Sequence, residues 1–205
     1  VTEDFLVSLF FHQQGYRTLY IPEVLAEGLA PQDLKSFVNQ QYRWARGCLD
    51  LLFRHNPLLK KGLTWRQRFH YLYSSSYYLS GLIVLIDAVV PLIVLTTGIS
   101  PVKANTGDFM IYFFPFIFGT LYLLMSSTGF AVTFRAIQLS MSSSFIFFAA
   151  TIATLFKHDT KFRVTAKAKL QGNFLAYALP NIFYGAVAIV AIAFAVAKEN
   201  LAPSV

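Results

Sequence analysis

The sequence predicts a mainly α membrane protein in which a polar helical region precedes a set of apolar helices. Three observations carry this reading. Charged residues make up 13% of the 205, against about a quarter in soluble domains. Apolar runs at 72–97, 110–132 and 174–197 each reach the roughly 20 residues needed to cross a bilayer. Basic residues collect before the first run and in a later segment, the pattern that orients membrane proteins.

The elements follow in order. Thr2-Glu3-Asp4 ahead of residues 5–14 reads as a helix start: Thr2 can cap free amides, and two acids complement the positive end of the helix dipole. Gly15 ends that helix, and residues 18–22 read as a short strand. Pro31 and Asp33 open a second helix running to about Arg54, with Phe37, Gln41, Trp44 and Cys48 at helical spacing. Asn56-Pro57 stops it. Residues 62–70, with Trp65, Arg66 and Arg68, form a basic and aromatic approach to a membrane surface.

Charge parity sets the topology. Nine Lys/Arg precede the first apolar run, whereas residues 98–109 carry only Lys103, offset by Asp108. By the positive-inside rule the N-terminal region is cytosolic and that short loop is external. A fourth apolar stretch, 136–156, begins with Gln138, Ser140, Ser142, Ser143 and Ser144, so its strictly apolar part is only 145–156. That length suits an interfacial or re-entrant helix. Keeping it at the interface also leaves Lys157, Lys161, Arg163, Lys167 and Lys169 inside. The expected divisions are therefore 1–71 cytosolic, 72–132 two transmembrane helices, 133–173 an interfacial helix and basic loop, and 174–205 a final span with its tail.

The net charge of +7 follows membrane orientation, so no nucleic-acid partner is expected. The lone Cys48 excludes an internal disulfide, and His12, His55, His70 and His158 are scattered, so no metal site is expected in this chain. Asp87 lies inside the first apolar run with Pro91 one turn on. Such an acid faces a cavity, a structural partner or a passing ligand. The chain opens on valine directly before an acidic tripeptide, and we expect it to be a piece of a longer protein.

Three motifs can carry chemistry. The carboxylates of Thr2-Glu3-Asp4 could serve as a general base toward a hydroxyl, or could simply cap a helix. Gln40, Arg43, Trp44 and Gly47 fall along one helical face. An amide can read sugar hydroxyls, a guanidinium can neutralise a diphosphate, and an indole can stack on a pyranose. The plainer reading is a buried tryptophan with solvated arginines. Phe162-Arg163-Val164-Thr165-Ala166-Lys167 places a hydroxyl and an ammonium two residues apart, suited either to a phosphate or to anionic headgroups.

Taken together, these motifs resemble, in order, the TED, QxxRW and FxVTxK motifs of processive family 2 glycosyltransferases of the cellulose synthase type. The resemblance covers about residues 2–167 and includes Gly15-Tyr16, Leu19-Tyr20-Ile21, Arg54-His55-Asn56-Pro57 and Gly62-Leu63 with Gln67-Arg68. It implies the C-terminal edge of a GT-A-type glycosyltransferase domain followed by transmembrane and interfacial helices. It also implies a UDP-sugar donor and a growing polysaccharide as partners, in the plasma (inner) membrane. Thr2, Glu3 and Asp4 would form the catalytic motif with Asp4 as general base. Gln40 and Trp44 would bind the acceptor, and Arg43 the UDP diphosphate. Phe162, Val164, Thr165 and Lys167 would belong to a gating loop. Mg2+ or Mn2+ is expected in the full-length enzyme, on ligands outside this chain. Cellulose is the first product expected, with curdlan- or hyaluronan-, chitin- and poly-N-acetylglucosamine-type polymers or a glycolipid as alternatives. A non-catalytic channel or transporter subunit is the contrasting class. Accessory export subunits stay open.

Overall fold

A computed structural model describes residues 2–99, 105–131, 134–156 and 171–201. Among these, α1 spans Glu3–Gln13, α2 Leu34–Arg54, α3 Trp65–Ser76, α4 Ser80–Thr97 and α5 Thr106–Ser127. Then follow α6 Phe134–Ser142, α7 Ser144–Leu155 and α8 Leu179–Leu201. Short 3-10 turns, Tyr77–Leu79 and Leu175–Tyr177, lead into α4 and α8.

Local chemistry explains most starts and stops. The Asp33 side chain accepts from Ser36 N at 2.8 Å and so caps α2. Thr64 and Gln67 form a reciprocal capping box on α3, which satisfies two otherwise orphaned donors. Asn105 accepts from Asp108 N at 2.8 Å and caps α5. Gly15, at φ +87°, turns the chain away after α1, a left-handed conformation that a side chain disfavours.

Two expectations need correction. Residues 18–22 form no strand, and none occurs among the described residues. A strand is defined by its ladder partner, and here Leu19 and Tyr20 stand exposed with no extended segment alongside. Thr2 occupies the N-cap position of α1 but its side chain makes no cap bond. That side chain is engaged elsewhere, as described below.

The chain divides into two compact units. The first comprises Val1–Leu85 and Ser143–Ile182. Its main core joins Ala45, Leu49 and Leu52 of α2 to Phe147 and Ala150 of α7. Tyr77 and Tyr78 present ring edges to Phe147 at 5.9 and 5.1 Å. A Cβ on Gly81 would lie 2.5 Å from that of Phe147, so the start of α4 can pack here only as glycine. A second cluster joins Leu9 of α1, Leu51 of α2, Leu63, and Tyr71 of α3. Leu9 is wholly buried, and truncating such a leucine to alanine typically costs about 2–5 kcal/mol.

The second unit comprises Ile86–Ser142 and Phe183–Val205. Its α8 touches α4 through the Tyr184 hydroxyl, which donates to the Ala88 carbonyl at 3.0 Å. Asp87 is exposed, and Pro91 lacks the amide that would meet the Asp87 carbonyl in an unbroken helix.

Among the described residues, four helical stretches are long and apolar enough to cross a membrane: Trp65–Thr97, Gly107–Ser127, Phe134–Leu155 and Leu179–Lys198. The best apolar window in Gly107–Ser127 has no residue buried inside the protein. So much unsheltered apolar surface calls for lipid rather than water. The chain is a multi-pass membrane protein.

Candidate active site where an acidic helix start meets a Gln-Arg-Trp strip

The site begins with a close approach between α1 and α2. Gly47 of α2 is buried. A Cβ on it would overlap the backbone nitrogen of Thr2 and lie 2.6 Å from Thr2 Oγ1. The start of α1 therefore rests directly on α2, one turn beyond Arg43 and Trp44. Thr2 also hydrogen-bonds the neighbouring Cys48, and this bond offsets part of the upward push that burial gives the Cys48 thiol. These contacts explain why Thr2 does not cap its own helix.

The acids that follow, Glu3 and Asp4, occupy the exposed first turn of α1. Free amides and the dipole of that turn favour negative charge. On α2, Gln40 and Arg43 are half-buried and Trp44 is 40% exposed. The structure brings Thr2 onto α2 at Gly47, one helical turn from Arg43 and Trp44, across more than 40 residues of chain.

Phe162, Val164, Thr165 and Lys167 lie outside the described residues. Before residue 157 stands α7, which packs along α2, and after residue 170 comes Phe174, whose ring lies 5.9 Å from the Lys35 Nζ near the start of α2.

Sequence reasoning missed two participants. Gly47 was read only as part of a face, although an isolated glycine within a helix signals close packing. His12 was read as scattered. Its Nδ1 pairs with the Tyr71 hydroxyl at 2.7 Å, and its Nε2 with Thr18 Oγ1 at 3.1 Å. No sequence signal joins residues 59 positions apart.

A family model described as cellulose synthase matches residues 1–189. The chain belongs to the cellulose synthase family. Putative cellulose synthase 2 of Komagataeibacter xylinus is 34% identical over 172 residues, covering 83% of this chain and 11% of that protein. Cellulose synthase A catalytic subunit 9, UDP-forming, of Oryza sativa subsp. indica is 33% identical over 185 residues, 82% of this chain and 18% of that protein. The cellulose synthase catalytic subunit, UDP-forming, of Pseudomonas fluorescens is 36% identical over 115 residues, 56% of this chain and 16% of that protein. This cellulose synthase family chain thus spans less than a fifth of those relatives. No solved structure matches it significantly.

The divalent metal expected of the full-length enzyme finds no donor set here. Among the described residues no three His, Cys, Asp or Glu stand together to hold an ion.

Proposed function

We propose that this chain forms the acceptor-side and membrane portion of an inverting, processive glycosyltransferase that polymerises UDP-glucose into a β-glucan and passes it across the membrane. The observation that supports this reading is the seating of Thr2 on Gly47, one helical turn beyond Arg43 and Trp44 on α2. In this scheme residues 1–71 are the edge of the catalytic domain, on the cytosolic face of the inner membrane.

Trp44 stacks on the terminal sugar of the growing chain, and Gln40 bonds its hydroxyls. The Asp4 carboxylate takes the proton of the acceptor hydroxyl as that oxygen attacks the anomeric carbon. The bond from that carbon to the diphosphate breaks, and UDP departs with the electron pair. Arg43 faces the charge that develops on the diphosphate, where a preorganised cation stabilises the transition state more than the ground state. Phe162, Val164, Thr165 and Lys167 close over UDP and exclude water that would waste the donor. Glu3 helps to hold the negative end of the acid motif at the helix start.

The placement of α7 at the membrane interface is supported by its packing along α2. That helix carries Arg43, Arg46, Asp50 and Arg54, and a helix so charged belongs outside the hydrocarbon.

The deciding experiment uses the full-length protein in membrane vesicles with radiolabelled UDP-glucose. Asp4→Asn is expected to abolish polymer formation while expression and membrane insertion stay normal; polymer at the wild-type rate would remove Asp4 from the role of base. Running UDP-N-acetylglucosamine in parallel, with enzymatic digestion of the product, separates a glucan from an amino-sugar polymer.

A further inference from the structure

The geometry points to Tyr71 as a positioning residue for Asp4, acting through α1 by way of His12 and Phe5; this rests on the reading of Asp4 as the base.

Tyr71 lies on α3 and is 7% exposed. It touches α1 twice. Its ring meets that of Phe5, the residue after Asp4, with centroids 5.2 Å apart. Its hydroxyl bonds His12 Nδ1 at 2.7 Å. Phe5 and His12 are two helical turns apart, about 10 Å along the axis, so the two contacts together define the heading of α1. One contact alone would define only a pivot.

His12 extends the chain of contacts to Thr18 Oγ1 at 3.1 Å, which ties the segment leaving α1 to the same point. Both partners of the imidazole are hydroxyls. Each can donate or accept, so either neutral tautomer satisfies both bonds. The ring is therefore held whichever nitrogen carries the proton.

The other end of α1 is fixed differently. Gly47 sets how closely Thr2 can approach, the bond from Thr2 to Cys48 holds that end, and Leu9 packs midway. The bond from Tyr71 to His12 adds a directional restraint at the far end of the helix, where tilt is controlled. From His12 back to Asp4 is about 12 Å along the helix. A tilt of about 5° therefore moves the carboxylate by about 1 Å, and a 1 Å misplacement can cost about 10²-fold in rate.

The test compares Tyr71→Phe, His12→Phe, their double variant and His12→Asn in full-length protein in membrane vesicles, with kcat and KM for UDP-glucose measured per folded protein. Tyr71→Phe keeps the ring against Phe5 and removes only the hydroxyl. The expected result is a 10- to 100-fold loss of kcat (roughly, by the misplacement argument) with KM within about twofold, since donor contacts are untouched. The double variant should be no worse than His12→Phe alone, because His12→Phe has already broken the bond that Tyr71→Phe removes, along with the bond to Thr18. His12→Asn offers an amide near the position of Nδ1 and should recover most of the loss.

Wild-type kcat in Tyr71→Phe, additive losses, or a loss confined to KM would each overturn the role of Tyr71. If His12→Phe fails to accumulate in membranes, Tyr71→Phe decides alone. Asp4→Asn separates the two levels of the claim. A dead Asp4→Asn beside a fully active Tyr71→Phe removes Tyr71 only, whereas an active Asp4→Asn removes both.

Discussion

A methyl group on residue 47 has nowhere to go. In an exposed helix, replacing glycine by alanine raises stability by about 1 kcal/mol. At Gly47 the added carbon would meet the backbone and side chain of Thr2, so the sign reverses. Gly47→Ala in the full-length protein is expected to lower turnover at least about tenfold, as a shift of the acid by a fraction of an ångström accounts for that much. Turnover at fixed folded protein is the measurement. Thr2→Ala in the same background removes the hydroxyl and methyl but leaves the obstructing backbone nitrogen, so activity should stay low. Recovery to the wild-type rate would place the conflict in the Thr2 side chain instead. Glycine is thus the residue on which the start of α1 and the middle of α2 meet, although it has no chemistry of its own.

Helix boundaries were largely legible from capping chemistry, and the exceptions are instructive. Asp33 and Asn56-Pro57 bracketed α2 correctly, because a side-chain cap and a proline act on their immediate neighbours. Thr2 and the expected strand at 18–22 failed for one shared reason. Both were judged by local preference, whereas their outcome depends on partners far away in the chain: Gly47 for Thr2, and an absent ladder neighbour for the strand. The pairing of α2 with α7 was equally invisible, since Leu49 and Phe147 share no sequence signal. Where the chemistry is local, magnitudes can be forecast. Thr64 and Gln67 close a capping box at the head of α3, and Thr64→Ala should cost about 1 kcal/mol. A lowered thermal midpoint of the detergent-solubilised protein, with Gln67→Ala adding little once Thr64 is gone, is the expected pattern. Full additivity would show the two caps act separately.

At the scale of the molecule the open question is which side of the membrane the basic segment faces. The expected spans at 72–97, 110–132 and 174–197 overlap helices long and apolar enough to cross, and Phe134–Leu155 is also long and apolar enough. Composition alone does not decide its placement: Ser143, Ser144, Thr151 and Thr154 lower its hydropathy, yet they are buried within the protein rather than turned to lipid, and sequence does not reveal that burial. An interfacial α7 predicts that Lys167→Cys reacts with a membrane-impermeant maleimide only from the cytosolic side, and Lys103→Cys only from outside. Labelling of both from the same external side would make Phe134–Leu155 a true span and detach the basic segment from the strip. Residue 156 follows α7, residue 174 lies by Lys35, and both belong to the unit that holds α2. The two flanks of residues 157–170, the end of α7 and Phe174 beside the start of α2, therefore belong to one folded unit, so a substitution that loosens α7 from α2 displaces both flanks together.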